Sequence, residues 1–169
     1  MFISYKKNNK IIMGVLQHIQ HQISALNDLI KINNDRIAGY EKANDNTNET
    51  GLNLLFKEYM DQSKNNVSEL REYIRVLGGD PTDGTTFSGK LNNTWIDVKA
   101  AFVSKDRHSI LADCEHAEDV AKKAYRAALD DKELIWEDQQ VVFILKKQLE
   151  SLKVAHDTIK ALRDAEVSA

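Results

Sequence analysis

The hydrophobic positions of this chain repeat at the spacing of an α-helix in four long segments. Within each segment the repeat steps by three or four residues, which keeps the side chains on one helical face, here called the seam. The seam positions are Ile19, Ile23, Leu26, Ile30, Asn33, Ile37 and Tyr40, then Phe56, Tyr59, Ser63, Asn66, Leu70, Tyr73 and Leu77, then Leu111, Cys114, Glu118, Ala121, Tyr125 and Ala128, and finally Leu145, Leu149, Leu152, His156 and Ile159. This pattern predicts four amphipathic helices that bury their seams against one another.

Polar residues interrupt each seam near its middle. They are Asn33 in the first segment, Ser63 and Asn66 in the second, Glu118 in the third and His156 in the fourth. If the four helices pack as one bundle, these side chains lie at similar depth. We therefore predict that they form a buried polar layer.

Turn-forming residues separate the segments and set the predicted helix bounds. The polar run at 44–48 has a strong turn preference, and Gly78-Gly79-Asp80-Pro81 is a helix stop because glycine accepts a left-handed backbone and proline cannot continue the helix. We predict helices over about 15–43, 52–77, 107–129 and 133–163, the last two joined by a tight turn at Asp130-Asp131. Residues 1–14 are interpreted as a ragged leader, with Met13 as an alternative start, and 15–165 as a single domain.

The longest connection, from Pro81 to His108, contains a fifth apolar stripe. Its members Leu91, Trp95, Val98 and Phe102 share one helical face. We predict a short helix over about 90–103 that covers one side or end of the bundle. A partner-binding groove or a membrane-surface helix is the alternative interpretation. Two short-looped hairpins joined by this crossover predict an all-α antiparallel four-helix bundle.

Composition limits the functional classes. A chain of 169 residues fits one domain with a sizeable core. The net charge of −3 argues against general nucleic-acid binding, which needs a basic surface. The single cysteine, Cys114, has no second cysteine for an internal disulfide. We expect no transmembrane segment, because no apolar run approaches about 18 residues, and we take the cytoplasm as the default location.

The first segment resembles a known family of bundles. Leu26-Asn27-Asp28-Leu29-Ile30 followed by Tyr40 is similar to the first helix of bacterioferritins, and the chain is distantly similar to bacterioferritins and rubrerythrins. This ferritin-like resemblance implies a two-metal site in the bundle core. In its register the metal ligands fall on Asn33, Ser63, Asn66, Glu118, Lys153 and His156. Only Glu118 and His156 keep a ligand type that is normal at its position.

A closer resemblance extends from about Leu26 to Asp164. The sequences Gly-Tyr-Glu-Lys-Ala at 39–43, Leu-Gly-Gly-Asp-Pro at 77–81, Cys-Glu-x-x-Glu-Asp at 114–119 and Ala-His-Asp-x-Ile-Lys at 155–160 are similar to an uncharacterised bacterial family, the domain of unknown function 2383. The resemblance implies a ferritin-like bundle. It implies no established activity.

Lys153 suggests what replaces the metals. A buried acid such as Glu118 needs a compensating partner, since a lone buried charge costs several kcal/mol. In the register above, Lys153 would place its positive charge beside Glu118. We therefore expect a buried network of Lys153, Glu118 and His156 in the place of the metal ions.

Two functional hypotheses follow. The first is a non-catalytic ferritin-like bundle with a degenerate metal site, acting as a binding or stress-related scaffold. It has no cofactor, and its partner is an unidentified protein or a second copy in a homodimer. The alternative is a reduced site in which Glu118 and His156, with Glu115, hold one iron, manganese or zinc ion for oxidoreductase or metal-storage chemistry. A small apolar ligand inside the bundle is a third class.

Overall fold

A computed structural model describes residues 2–85 and 106–165 of the chain, with side chains described from residue 12 onwards. Four helices make up the described parts: α1 is Phe2–Asp45, α2 is Thr50–Val76, α3 is Arg107–Asp130 and α4 is Gln139–Asp164. The predicted short helix over 90–103, with Leu91, Trp95, Val98 and Phe102, lies outside the described residues. None of the described helices is long and apolar enough to cross a membrane.

Each half of the bundle is an antiparallel hairpin. In the first, Asn33 of α1 meets Asn66 of α2, while the later residue Arg36 meets the earlier Ser63. In the second, α3 packs against α4 in the same antiparallel sense. The all-α four-helix bundle of two hairpins predicted from the sequence is therefore confirmed.

The two hairpins pack with α1 against α3 and α2 against α4. Asn33 bonds Tyr125 and Arg36 bonds Glu118, so α1 and α3 also run antiparallel. The helices α2 and α3 consequently point in the same direction, at diagonal corners of the bundle. The end of α2 and the start of α3 therefore lie at opposite ends of the bundle.

The ends of α2 and α3 show how local sequence sets the helix bounds. Gly78 has a φ of 77°, and its N–H donates to the carbonyl of Arg75 while the N–H of Gly79 donates to that of Ile74. This pair of bonds is the Schellman ending, which needs a left-handed residue that glycine provides without strain. At the start of α3, the Asp106 side chain accepts from the Ser109 amide and satisfies one free helix donor.

Two predicted helix starts differ from the structure. Helical backbone begins at Phe2, so most of the predicted leader at 1–14 belongs to α1. The fourth helix begins at Gln139 rather than near Glu133, and Asp138 caps it by accepting from the Gln140 amide. The predicted tight turn at Asp130-Asp131 is therefore wrong. A longer connection takes its place.

The connection between α3 and α4 packs back onto the bundle. Leu134 is buried, and the indole N–H of Trp136 donates to the carbonyl of Ala128 at 2.9 Å. These two contacts hold the connection against the end of α3. The connection thereby covers one end of the core.

Candidate functional site

An ion pair lies at the centre of the bundle. The Nε atom of Arg36 donates to Oε1 of Glu118 at 2.8 Å, and Nη2 lies 2.7 Å from the same oxygen. Both side chains are fully buried. Because Arg36 lies on α1 and Glu118 on α3, the pair joins the two hairpins through the core.

Neighbouring groups contact Nη1 of Arg36 and Oε1 of Glu118, whereas Oε2 of Glu118 has no hydrogen-bond partner within the described residues. Nη1 of Arg36 donates to Ser63 Oγ at 2.7 Å and to the Tyr59 carbonyl at 3.2 Å. The Tyr40 hydroxyl donates to Glu118 Oε1. The guanidinium also lies 5.3 Å from the ring centre of Tyr40 and 5.5 Å from that of Tyr59, within range of cation–π attraction. Three helices thus supply the surroundings of one buried cation.

Charge and burial shift the ionisation of the surrounding groups. Burial raises the pKa of Tyr40 well above its usual range, and the neighbouring charge of Glu118 raises it further. The pKa of the Cys114 thiol is raised well above its usual range for the same two reasons. Burial alone would lower the pKa of Arg36, but the charge of Glu118 and its hydrogen bond, together with the nearby Tyr40 and Tyr125, outweigh the burial and raise this pKa. Arg36 therefore stays charged, while Tyr40 and Cys114 stay protonated at neutral pH.

A second buried network contains no formal charge at its centre. The Asn33 amide donates to the Tyr125 hydroxyl at 2.7 Å, and that hydroxyl donates to Gln148 Oε1 at 2.7 Å. Asn66 donates to Asn33 Oδ1 at 3.1 Å, which brings α2 into the network. Burial raises the pKa of Tyr125 well above its usual range. All four helices are thus tied together by neutral hydrogen bonds.

The network leads outward through Gln148. Its amide donates to Glu69 Oε2 at 2.8 Å, and Lys147 pairs with the other oxygen of Glu69 at 3.1 Å on the surface. The polar interior therefore consists of a charged part around Arg36 and Glu118 and a neutral part that reaches the α2–α4 surface.

Lys153 does not take part in either network, so its predicted pairing with Glu118 is wrong. It is exposed, and its nearest carboxylate is that of Glu150 at 3.7 Å. The reason is helical geometry, since Lys153 follows the buried Leu152 by one residue and is rotated by about 100° from it. The cation beside Glu118 is Arg36.

His156 also lies apart from Glu118, on the rim between α3 and α4. Its Nε2 atom is 3.2 Å from Asp119 and 3.7 Å from Glu115, and its Nδ1 atom is 2.9 Å from Asp157. The hydrogen bond from His156 lowers the pKa of Asp157. Glu115 is additionally held by Arg163. The predicted set of Glu118, His156 and Glu115 is thus divided between the core and the rim.

The side chains at the inner positions do not fit a two-metal centre. Asn33 and Asn66 are bonded to each other, and Ser63 accepts from Arg36. The carboxylate of Glu118 is engaged by a guanidinium, and its Oε2 atom has no hydrogen-bond partner within the described residues. Two metal ions carry at least four positive charges and need several carboxylates, whereas this interior already contains a cation.

The rim around His156 does not fit a metal site either. Across residues 2–85 and 106–165, no group of three or more His, Cys, Asp and Glu side chains is arranged to hold a metal ion. At the rim, Lys122 pairs with Asp119 at 3.0 Å and Arg163 pairs with Glu115. Two of the three carboxylates beside His156 thus already face cations of the protein.

Fold and site together define an antiparallel four-helix bundle with a polar, ion-paired interior. The chain belongs to the family described as Domain of unknown function (DUF2383), which matches residues 21–131. The matched region includes α2, α3 and most of α1, and so contains Arg36 and Glu118. No curated protein matches the chain.

Proposed function

We propose that this protein is a ferritin-like bundle that acts as a binding scaffold without a di-metal centre. The observation that carries the proposal is the buried pair of Arg36 and Glu118. A guanidinium occupies the interior at the depth where the ferritin-like resemblance places metal ions. The protein's own cation supplies the positive charge that the remaining carboxylate requires.

The topology supports the ferritin-like part of the proposal. Ferritin-like bundles consist of two antiparallel hairpins joined by one long crossover. In this chain α2 and α3 run in the same direction at diagonal corners, so the end of α2 and the start of α3 lie at opposite ends of the bundle. A simple up-down-up-down bundle would place α2 and α3 antiparallel instead.

The polar interior supports a binding role over a catalytic one. Hydrogen bonds join the side chains of Asn33, Asn66, Tyr125 and Gln148 to one another. Arg36 and Glu118 are fully buried and paired, so a substrate would have to displace a charge-assisted bond in a low-dielectric core. The groups available for recognition are therefore on the surface.

Metal content after anaerobic loading with ferrous iron, manganese or zinc tests the proposal. We expect less than about 0.1 metal per chain after desalting and no change in the melting temperature, because a ligand that binds only the native state raises its stability. Two metals per chain, with a rise in melting temperature, would overturn the proposal. One metal per chain would support the reduced-site alternative instead.

Matched variants show where the metal binds if one metal per chain is found. His156→Ala removes the rim imidazole, whereas His116→Ala removes an exposed imidazole on α3. A metal lost with His156→Ala and retained with His116→Ala would locate a reduced site at the rim and overturn the metal-free scaffold. Equal loss in both variants would indicate surface binding, which leaves the scaffold proposal supported.

A further inference from the structure

Exposed apolar side chains concentrate at one end of the bundle. We call this end the base; it comprises the end of α2, residues 130–138 and the part of α1 around Val15. Nine large apolar side chains in the described chain are more than half exposed, and six of them lie at the base or on α1 just beyond it. These six are Ile12, Met13, Val15, Leu16, Val76 and Ile135. Such a concentration is typical of an interaction surface.

Helix α1 extends beyond the base. It has 44 residues, whereas the other helices have 24 to 27. Val15 lines a groove with Val76 and Val141, so α1 lies against the bundle from there onwards. At 1.5 Å per residue, the helix over 2–14 reaches about 20 Å further. We call this part of α1 the arm.

The arm needs apolar cover of its own. Ile12, Val15 and Ile19 continue the seam of α1 at helical spacing, and Ile12 and Val15 are exposed. An isolated helix of this length is marginal in water, and most helical stability comes from packing an apolar face. A partner that covers this face would therefore stabilise the arm.

The arm and the base carry opposite charge. The arm contains Lys6, Lys7 and Lys10, and no Asp or Glu occurs before Asp28. The base is acidic between residues 130 and 138, where one lysine accompanies Asp130, Asp131, Glu133, Glu137 and Asp138. One molecule thus presents both halves of a complementary pair at the same end.

We propose that the base is a homodimer interface, with the arm of each copy packed against the base of the other. A two-fold axis satisfies both contacts at once, since every copy contributes one basic arm and one acidic base. The exposed apolar side chains of arm and base then face each other. This inference deepens the proposed binding function by naming a second copy of the chain as the partner.

The acidic charge of the base favours a second copy over a lipid surface as the partner of the arm. A basic amphipathic helix also suits an anionic membrane. A membrane that received the arm would, however, meet the five carboxylates of the base at the same end, and like charges repel. The same carboxylates attract the arm of a second copy.

Sedimentation equilibrium of the full chain tests the interface. We expect a mass twice that of the 19.2 kDa chain. Leu16→Glu places a charge on the apolar face and should weaken dimerisation at least about 100-fold. Val154→Glu, which changes a similarly exposed residue further along α4, should leave the dimer intact. Circular dichroism of both variants checks that the helices remain.

Charge reversal provides an independent test. Lys6→Glu/Lys7→Glu/Lys10→Glu should weaken the dimer, and so should Asp130→Lys/Glu133→Lys/Glu137→Lys. A chain carrying all six changes has an acidic arm and a basic base, so it restores opposite charges and should recover dimerisation. Failure of that recovery would overturn the arm-to-base pairing.

Three further outcomes would overturn the proposal. They are a monomer at all concentrations, a dimer insensitive to Leu16→Glu, and a monomer that binds vesicles of anionic phospholipid through the arm. Metal content is a separate readout, so failure of the dimer and failure of the metal-free scaffold are distinguishable.

Discussion

The guanidinium of Arg36 and the carboxylate of Glu118 meet 2.8 Å apart, with both side chains fully shielded from water. The two residues connect α1 to α3 and are 82 positions apart in the sequence. The contact therefore does more than neutralise a buried acid. It fixes how the first hairpin docks on the second, because a charge-assisted bond in a low-dielectric core tolerates little displacement.

Replacing Arg36 by methionine should destabilise the fold strongly. Arg36→Met retains an unbranched apolar stem but leaves the Glu118 carboxylate buried without its cation. Breaking a buried pair in this way costs about 3–5 kcal/mol of unfolding free energy. Urea unfolding followed by circular dichroism at 222 nm measures this loss.

Two further variants test whether the unpaired charge of Glu118 causes this loss of stability. Arg36→Met/Glu118→Leu removes both charges and should recover most of the lost stability, since an apolar pair of similar volume is often neutral or better. Lys153→Met changes an exposed lysine and should alter stability by less than about 0.5 kcal/mol. A large loss in Lys153→Met with none in Arg36→Met would contradict the observed core.

The Tyr125 hydroxyl should contribute more to the free energy of unfolding than a surface hydroxyl does. Tyr125→Phe removes an acceptor from Asn33 and the donor to Gln148. Leaving buried polar groups unsatisfied costs about 1–3 kcal/mol. The matched control is Tyr73→Phe, which loses a bond to Asp138 at an exposed site, where water can replace the lost partner. Equal effects of the two variants would show that Asn33 and Gln148 find other partners.

The fold could be predicted from the sequence because its signals are local and repeated. Ile23, Leu26 and Ile30 share one helical face and are buried. Gly78 followed by Pro81 marks a helix end by backbone geometry alone. The start of the fourth helix was missed because the tight turn predicted at Asp130-Asp131 placed it near Glu133. Leu134 and Trp136 instead pack in a non-helical connection, which depends on contacts with α3 that spacing does not reveal.

The site was only partly predictable. Asn33 and Glu118 interrupt apolar seams, and the sequence identified them as buried. Arg36 was missed although it lies three residues after Asn33 and four before Tyr40, which is seam spacing. The neighbouring Ile37 fitted the apolar pattern better, and arginine is almost never fully buried unless it is paired. The pairing itself depends on α3, and the sequence alone does not show which cation reaches Glu118.

Gly78 should be required for its backbone conformation rather than for space. Its φ is 77°, and a Cβ added there meets no atom within 4 Å. Gly78→Ala should therefore cost about 1 kcal/mol through left-handed strain alone. Gly51→Ala, in the first turn of α2 and equally open, should be neutral or stabilising by up to about 1 kcal/mol. Thermal unfolding of both variants measures the contrast, and a neutral Gly78→Ala would show that the end of α2 rearranges freely.

Stability should fall in alkaline solution, in part because of Cys114. Burial, with the charge of Glu118, raises the pKa of this thiol in the folded state, whereas an unfolded cysteine has a pKa of about 8.5. Above that pH the unfolded chain releases a proton that the folded chain retains. The stabilising contribution is thus complete below about pH 8.5 and is lost at up to about 1.4 kcal/mol per pH unit as the pH rises towards the folded pKa.

Cys114→Ala isolates this contribution. The variant should lose less stability than the parent chain between pH 8.5 and 10, whatever its stability at pH 7. Above about pH 10 both chains should lose further stability, because burial also raises the pKa values of Tyr40 and Tyr125, which both chains contain. Urea midpoints at half-unit pH steps measure both slopes. Identical slopes from pH 7 to 10 would mean that Cys114 ionises in the folded chain as readily as in the unfolded one, and that the thiol is accessible to water.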